Sequence, residues 1–487
     1  MRPRTASGAS RLTMMNGAVK REVDFAIVGA GLAGLRAALT LQRAGSSVVV
    51  LEARDRVGGR TLSGVDSTCP DPSLVLDMGG QWVGPGQTEV HRLAREMDLH
   101  LVPTVVPGRA LWDLGGGVRR GSPRVPPLPP GAMAHVLLAV ARLKRMSRRV
   151  PLAAPWEAHE ATGWDAVTFE AWLRAHVRSS VGRALLRLYV NGHPGLEASE
   201  MSVLDVLFML RSAGSLGHLL HAQDFQLIAG AHELARRSAL SLGDALMLEA
   251  PVAAIDQDEE GVTVSSGRGS IRCRRVGVCA PLRVAAEVAY SPPLPADRMA
   301  LMRSRPIGVL IKFHAVYPSP FWRRNGLSGQ AFSTSHAIAA TGDNSPGDGS
   351  GRGVLVGLTG ADRARALSAL PEAERRSQIL TSLADLFGPE AAEPEAFVVQ
   401  DWSRERWTSG AAGGGDASPR TWTTVGHAYR APSGRVHWGG TETSPEWHGY
   451  MEGALRSGLR MAREMVSTET GPHLRYPLQD SNLRSAR

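Results

Sequence analysis

Cysteine and lysine are almost missing from this chain of 487 residues. The three cysteines, Cys69, Cys273 and Cys279, show no C-x-x-C spacing. That excludes a disulfide framework and a thiolate zinc site, and it fits a reducing cytoplasm. There are also only three lysines, Lys20, Lys144 and Lys312, among 55 basic residues. Aromatic residues make up 5%, and no basic run is interleaved with them as a base-stacking platform requires, so nucleic acid is not an expected partner. No window reaches the roughly 18 continuous apolar residues of a membrane span. The first 22 residues are polar and lack the apolar core of a secretion signal; they read as a disordered leader, with Met14 and Met15 as candidate starts.

What is present is ordinary for a globular protein of two or three domains, with 43% hydrophobic and 21% charged residues. The net charge of +9 comes from arginine, and we read it as composition bias rather than as an anionic partner. Residues 24–52 read strand, glycine turn, helix, strand, with Gly45 as the helix stop. Residues 107–131, rich in Gly and Pro, read as a loop, followed by an amphipathic helix with a basic end. Residues 156–220 read as helical and 248–280 as short strands. Residues 326–353 read as loop-rich, 362–387 as a helix, 398–402 as a strand, and the segment from Tyr450 as a helix. The tail after Ser467 is polar and expected to be loose.

Gly29-x-Gly31-x-x-Gly34 lies between the first strand and its helix. Gly29 permits the tight turn, and Gly31 lets backbone approach a pyrophosphate. Gly34 allows helix–strand contact, while the helix N-terminus faces the phosphate charge. Glu52 ends the second strand, where a carboxylate can hold both ribose hydroxyls. These features indicate a dinucleotide without separating NAD from FAD. The continuation Glu52-Ala53-Arg54-Asp55-Arg56-Val57-Gly58-Gly59-Arg60 adds a second glycine pair and a cation.

That second signature resembles the flavin-containing amine oxidases and their glutathione-reductase-like relatives. DMGGQWVGP (77–85), APVAAID (250–256), IKFHAVYPSPFW (311–322) and GGTETSPEWHGYMEGALRSG (439–458) resemble further segments of that family in the same order. The implied fold is α/β, a Rossmann-like FAD-binding domain with an inserted α+β substrate domain of helices and a mixed sheet. Residues 23–100, 222–300 and 405–466 are expected in the FAD-binding domain, and 101–221 and 301–404 in the substrate domain.

The resemblance also implies roles. Gly29, Ala30, Gly31, Leu32, Ala33, Gly34, Glu52, Ala53, Arg54, Gly59 and Arg60 would hold the adenosine diphosphate. Gly79, Gly80, Gln81 and Trp82 would line the flavin, and Val252 would meet the adenine. Gly440 and Glu442 would lie near the ribityl-pyrophosphate, Met451 at the pyrimidine ring, and Trp402 against the flavin. For Trp82 and Trp402 a role as core filler stays open.

Lys312 matches the family lysine that holds a water over flavin N5. On a strand it shares one face with Leu310 and His314, and a buried ammonium needs partners; the alternative is an edge strand with a solvated lysine. Tyr450 matches one wall of the family's aromatic cage. Ala411 stands where some members carry a cysteine bonded to the flavin, so the FAD is expected to be non-covalent. Ala412 stands at the second cage wall, and with Trp447 it is expected to border a widened substrate pocket.

The expected function is FAD-dependent amine oxidation. Hydride leaves the amine α-carbon, an imine forms and hydrolyses, and O2 becomes H2O2. The expected partners are a small amine and O2, with a homodimer as the expected assembly. The rivals are an L-amino-acid oxidase, a flavin desaturase or dehydrogenase acting on a bulky metabolite, and a non-catalytic flavin-binding protein.

Overall fold

The computed structural model describes residues 12–15, 18–64, 71, 73–104, 107–192, 194–304, 308–347, 349–408, 410 and 419–467. Its largest sheet, of nine strands, is gathered from stretches far apart in sequence. Strand Ala18–Val28 lies between Gly269–Val278 and Val48–Leu51, parallel to both. Val48–Leu51 is continuous apolar chain, as expected for a strand buried on both faces. Val436–Trp438 joins the far side of Gly269–Val278, also parallel.

Helix Leu32–Arg43 follows the first strand and packs on the last helix, Met451–Ser467. Both approaches depend on glycine. A Cβ at Gly34 would lie 1.9 Å from the Gly29 carbonyl oxygen, and one at Gly458 would lie 2.2 Å from that of Ala33. No side chain fits in either place. The last helix also supports its neighbour Thr88–Glu96 electrostatically. Its buried Glu452 accepts the backbone N–H groups of Glu89 (3.1 Å) and Val90 (2.9 Å), at the positive end of that helix.

A second sheet has seven strands in the order Ala396–Asp401, Leu310–Tyr317, Gly353–Gly360, Ala340–Asp343, Leu327–Ser333, Arg109–Asp113 and Val118–Gly121. Strand Leu310–Tyr317 is therefore interior, with Lys312 opposite Leu358 on one side and Gln400 on the other. A solvated edge lysine is ruled out. A small sheet of Trp82–Val83, Phe225–Leu227 and Leu101–Pro103 bridges toward it. Five helices between Pro130 and Ser212 pack on one another in a core cluster shared with Ala110 and Trp112 of the seven-stranded sheet; Thr168, Ser179 and Ser202 each cap one by accepting an N–H three residues on.

Several expectations change. The supposed loop 107–131 contains the hairpin Arg109–Asp113 and Val118–Gly121, because RALWD buries its apolar residues at the sheet edge while the glycines make the turn. The supposed loop 326–353 supplies Leu327–Ser333 and Ala340–Asp343, whose small and polar residues hid strands with a buried face. The single helix at 362–387 is two, Ala361–Ala369 and Glu372–Phe387, since Pro371 cannot continue the first. The leader differs as well: Leu12–Met15 pairs antiparallel with Ala18–Arg21. Among the described residues no helix is long and apolar enough to cross a membrane, and no group of three or more His, Cys, Asp or Glu could hold a metal ion.

Candidate active site

A cavity of about 640 Å3 runs between the two large sheets. At one end lies the turn after the first strand. Gly29 has φ +98, which only glycine adopts freely, and Gly31 begins the helix with no side-chain cap. A Cβ at Gly31 would meet nothing within 4 Å, so packing does not require that glycine; the empty space belongs to the cavity. Leu32, Ala33, Ala53 and Gly59 join this wall, and Val252 lies further along it. Ala30 and Gly34 do not line the cavity. The Ala30 N–H donates to Glu52 Oε2 at 2.8 Å, and Gly34 serves the packing described above. Glu52 Oε1 accepts from the Arg54 N–H at 3.0 Å, which fixes the carboxylate at the strand end.

The cations here are restrained by acids that the motif did not reveal. Arg54 ion-pairs with Glu405 at 2.6 Å, and Arg60 with Glu442 at 2.7 Å. Glu442 is thus not on the wall but behind Arg60, while Gly440 (φ +104) is on it. Met451, the first residue of the last helix, reaches the middle of the cavity.

Toward the other end the wall is Gly79, Gly80, Gln81, Trp82, Leu310, Lys312, Leu358, Trp402 and Tyr450. Gly79 is a close-approach glycine: a Cβ would lie 2.1 Å from the Arg60 carbonyl oxygen and 3.0 Å from the Trp402 ring. Trp402 is fixed by its indole N–H, which donates to the Met78 carbonyl at 2.9 Å. It both packs in the core and lines the cavity, as does the half-buried Trp82.

Lys312 is 1% exposed. Its Nζ donates to the Gly79 carbonyl at 3.0 Å and to Gln81 Oε1 at 2.7 Å, and it sits 4.7 Å over the Trp82 ring. Burial pushes the amine down to about 7, opposed by the negative charge of Asp77. Burial in turn raises Asp77, opposed first by Lys312 and then by the bonds it accepts from Ser63 and the Ala231 N–H. His314, two residues along the strand, bonds to the Asp77 carbonyl at 3.0 Å; burial drives it down to about 3, so it is neutral.

Tyr450 is held edge-on to Trp447, with ring centroids 5.1 Å apart, and burial pushes its phenol above the ordinary range. Trp447, expected in the substrate pocket, does not line the cavity. Its N–H donates to Ser212 at 3.0 Å, and its backbone at φ +51 turns the indole into a cluster with Ala213 and Ala222 behind Tyr450. Ala411 and Ala412 lie outside the described residues. Sequence reasoning missed Ala222, Gln223, Leu358, Trp407 and Thr408, which line the cavity, and Gln226 and Asn344, which hold Gln81. No local motif marks Ala222, Gln223, Gln226, Asn344 or Leu358, whereas Trp407 and Thr408 open the segment that leads to Ala411.

The family model described as flavin containing amine oxidoreductase matches residues 32–466. This chain belongs to that family. The amine oxidase is 38% identical over 451 residues to a putative flavin-containing monoamine oxidase of Mycobacterium tuberculosis, covering 91% of this chain and 97% of that one. It is 34% identical to a putrescine oxidase of Kocuria rosea, over 91% and 95% of the two chains. A solved putrescine oxidase structure with putrescine bound matches with a TM-score of 0.88 and 32% identity, over 92% and 100% of the chains. Cyclohexylamine oxidase from Brevibacterium oxydans IH-35A matches with a TM-score of 0.85 and 31% identity, over 92% and 99%.

The residues present fit FAD. The uncapped helix start, the empty space at Gly31 and the paired Arg54 and Arg60 suit a pyrophosphate. The long cavity, continuing to Met451 and Trp402, suits a flavin beyond it. The enzyme is an FAD-dependent amine oxidase by family and by fold.

Proposed function

We propose that the enzyme oxidises an apolar primary monoamine, with FAD bound without a covalent link and O2 as the final acceptor. The observation that carries this reading is the wall at Lys312. Leu310, Leu358, Trp82 and Tyr450 surround it, so an aliphatic or aryl group finds apolar surface beside one buried amine. Among the described residues, the carboxylates on the cavity wall are Glu52 and Glu287. Glu52 is at the glycine turn. Glu287 lies two residues before Ala289, which pairs with Ala254 in the parallel ladder, and so stands level with Val252. Among the described residues, a diamine's second ammonium therefore has no carboxylate on the cavity wall beside Lys312.

Bound FAD supplies a two-electron acceptor for the hydride of the amine α-carbon. The chain's own residues position the reaction. Tyr450, kept protonated and braced by Trp447, offers a ring face that favours a neutral amine nitrogen over other orientations. Lys312 Nζ holds a water, or a proton, at the cavity; an amine at about 7 can do both near neutral pH. Gly29, Gly31, Glu52, Arg54 and Arg60 bind the adenosine diphosphate end, with Glu405 and Glu442 setting the two arginines. Residues 23–100, 222–300 and 405–466 make the cofactor-binding part, and residues 101–221 and 301–404 the substrate part. The scarcity of cysteine supports a cytoplasmic protein.

A second reading, oxidation of an amino acid, is favoured by Arg406, which lines the cavity with its guanidinium 4.5 Å from the Trp407 ring. The test is a peroxide-coupled screen of monoamines, diamines and amino acids on purified yellow protein. The first reading expects the highest kcat/KM with apolar monoamines. Preference for an amino acid, lost in Arg406→Ala, establishes the second. Acid precipitation should leave the flavin in the supernatant, and colour in the pellet would refute the non-covalent link.

A further inference from the structure

Lys312 is anchored by a side chain that is itself anchored. Gln81 is 2% exposed, and its Oε1 receives the Lys312 N–H. Its Nε2 donates to Gln226 Oε1 at 2.8 Å and to Asn344 Oδ1 at 2.6 Å. Both acceptors face the same NH2 group, so a flipped carboxamide would set oxygen against oxygen on one side and N–H against the lysine on the other. The supports are rigid. Gln226 is in register with Trp82 in the small sheet. Asn344 follows Asp343, which accepts from Trp322 Nε1 (2.8 Å), Arg323 (2.7 Å) and the Ser345 N–H (2.9 Å). The Asn344 N–H itself donates to Val354 at 2.7 Å.

We propose that Gln81 is a positioning residue for Lys312: clamped by Gln226 and Asn344, its carboxamide oxygen and the Gly79 carbonyl take two N–H groups of Nζ and aim the remaining position of the amine into the cavity. The catalytic consequence rests on the reading that Lys312 serves the bound cofactor. The charged and titratable neighbours are Asp77 and His314. His314 is neutral, and Asp77 acts on Lys312 through its charge, its Oδ1 accepting from the Ser63 hydroxyl and the Ala231 N–H. The geometry of the amine is therefore set by two carbonyl-type oxygens, and only Gln81 can be altered by mutation without moving backbone.

The chain's three lysines make the test direct. With 13Cε-lysine label in the FAD-loaded enzyme, three signals titrate, and Lys312→Met identifies the one with a midpoint near 7. Gln81→Leu removes an oxygen that stabilises the charged amine, and the midpoint should fall by about one on the pH scale. Gln81→Glu places a carboxylate there, and the midpoint should rise by about two. Asn344→Ala, which leaves Gln81 in place, should move it in the direction of Gln81→Leu but less. The pH profile of reoxidation of the reduced enzyme by O2 should follow each midpoint. A Lys312 midpoint unchanged in both Gln81 variants overturns the proposal. A shifted midpoint, combined with wild-type reoxidation in Lys312→Met, leaves Gln81 as the positioning residue and removes the cofactor role of Lys312.

Discussion

Replacing Lys312 with methionine should flatten the dependence of stability on pH between neutrality and pH 9. In the folded chain, burial holds the amine at about 7, against an ordinary 10.5 in the unfolded chain. Between those values the unfolded chain binds a proton that the folded chain does not, so wild-type stability rises with pH and is lost as pH falls toward 7. Each tenfold drop in proton concentration is worth about 1.4 kcal/mol, which gives roughly 2 kcal/mol between pH 7 and 9. Below pH 7 both states are protonated and the penalty for burying the ion reaches its full size, on the order of 5 kcal/mol. His314 is present in both proteins, so its own small linkage near pH 7 cancels from their difference. The methionine variant loses the two bonds to Gly79 and Gln81, a cost of about 1–3 kcal/mol for each acceptor left unpaired, but that cost does not vary with pH. The assay is denaturant unfolding of wild type and Lys312→Met at matched FAD loading, from pH 6.5 to 9. The difference in stability should change by about 2 kcal/mol in favour of wild type as pH rises from 7 to 9. Two parallel curves would refute the assignment of a low amine midpoint to Lys312.

Gly34→Ala puts a methyl 1.9 Å from a backbone oxygen, so the helix must shift off the phosphate turn. FAD affinity should fall at least tenfold by fluorescence titration, and unchanged affinity would contradict the close-approach reading. Glu452→Ala leaves the Glu89 and Val90 N–H groups without their buried acceptor and should cost about 2–4 kcal/mol by denaturant unfolding. Glu452→Gln should cost less, because it keeps one oxygen for them. Cys273 is buried, and burial pushes its thiol up to about 12. Folded protein at pH 8 should therefore show no alkylation there by mass spectrometry, and modification should follow only on unfolding.

The glycine turn, the helix start and the acidic strand end of the candidate site were legible because they depend on short-range rules. Gly29, Gly31 and Gly34 are required by one turn and one helix start, and Glu52 by the end of the next strand. Lys312 was legible by contrast, as a rare charge among strand-forming apolar residues. The clamp on Gln81 was not, since Gln226 and Asn344 lie 145 and 263 residues away and carry no local pattern. Trp447 was misplaced because its position follows from a backbone turn at φ +51 and a bond to Ser212, neither of which spacing encodes. The strands in 326–353 were obscured by serine, threonine and glycine, which are buried there by tertiary pairing rather than by propensity.

The packing of the first helix on the last has a bearing on how the protein is made. The phosphate turn emerges from the ribosome early, yet the wall at Gly440 and Met451, and the contact of Gly458 with Ala33, are among the last described parts of the chain to be synthesised. A chain interrupted before Met451 carries the dinucleotide fingerprint but leaves the Ala33 face of its first helix bare. Cofactor uptake is therefore expected only once synthesis has run almost to the end.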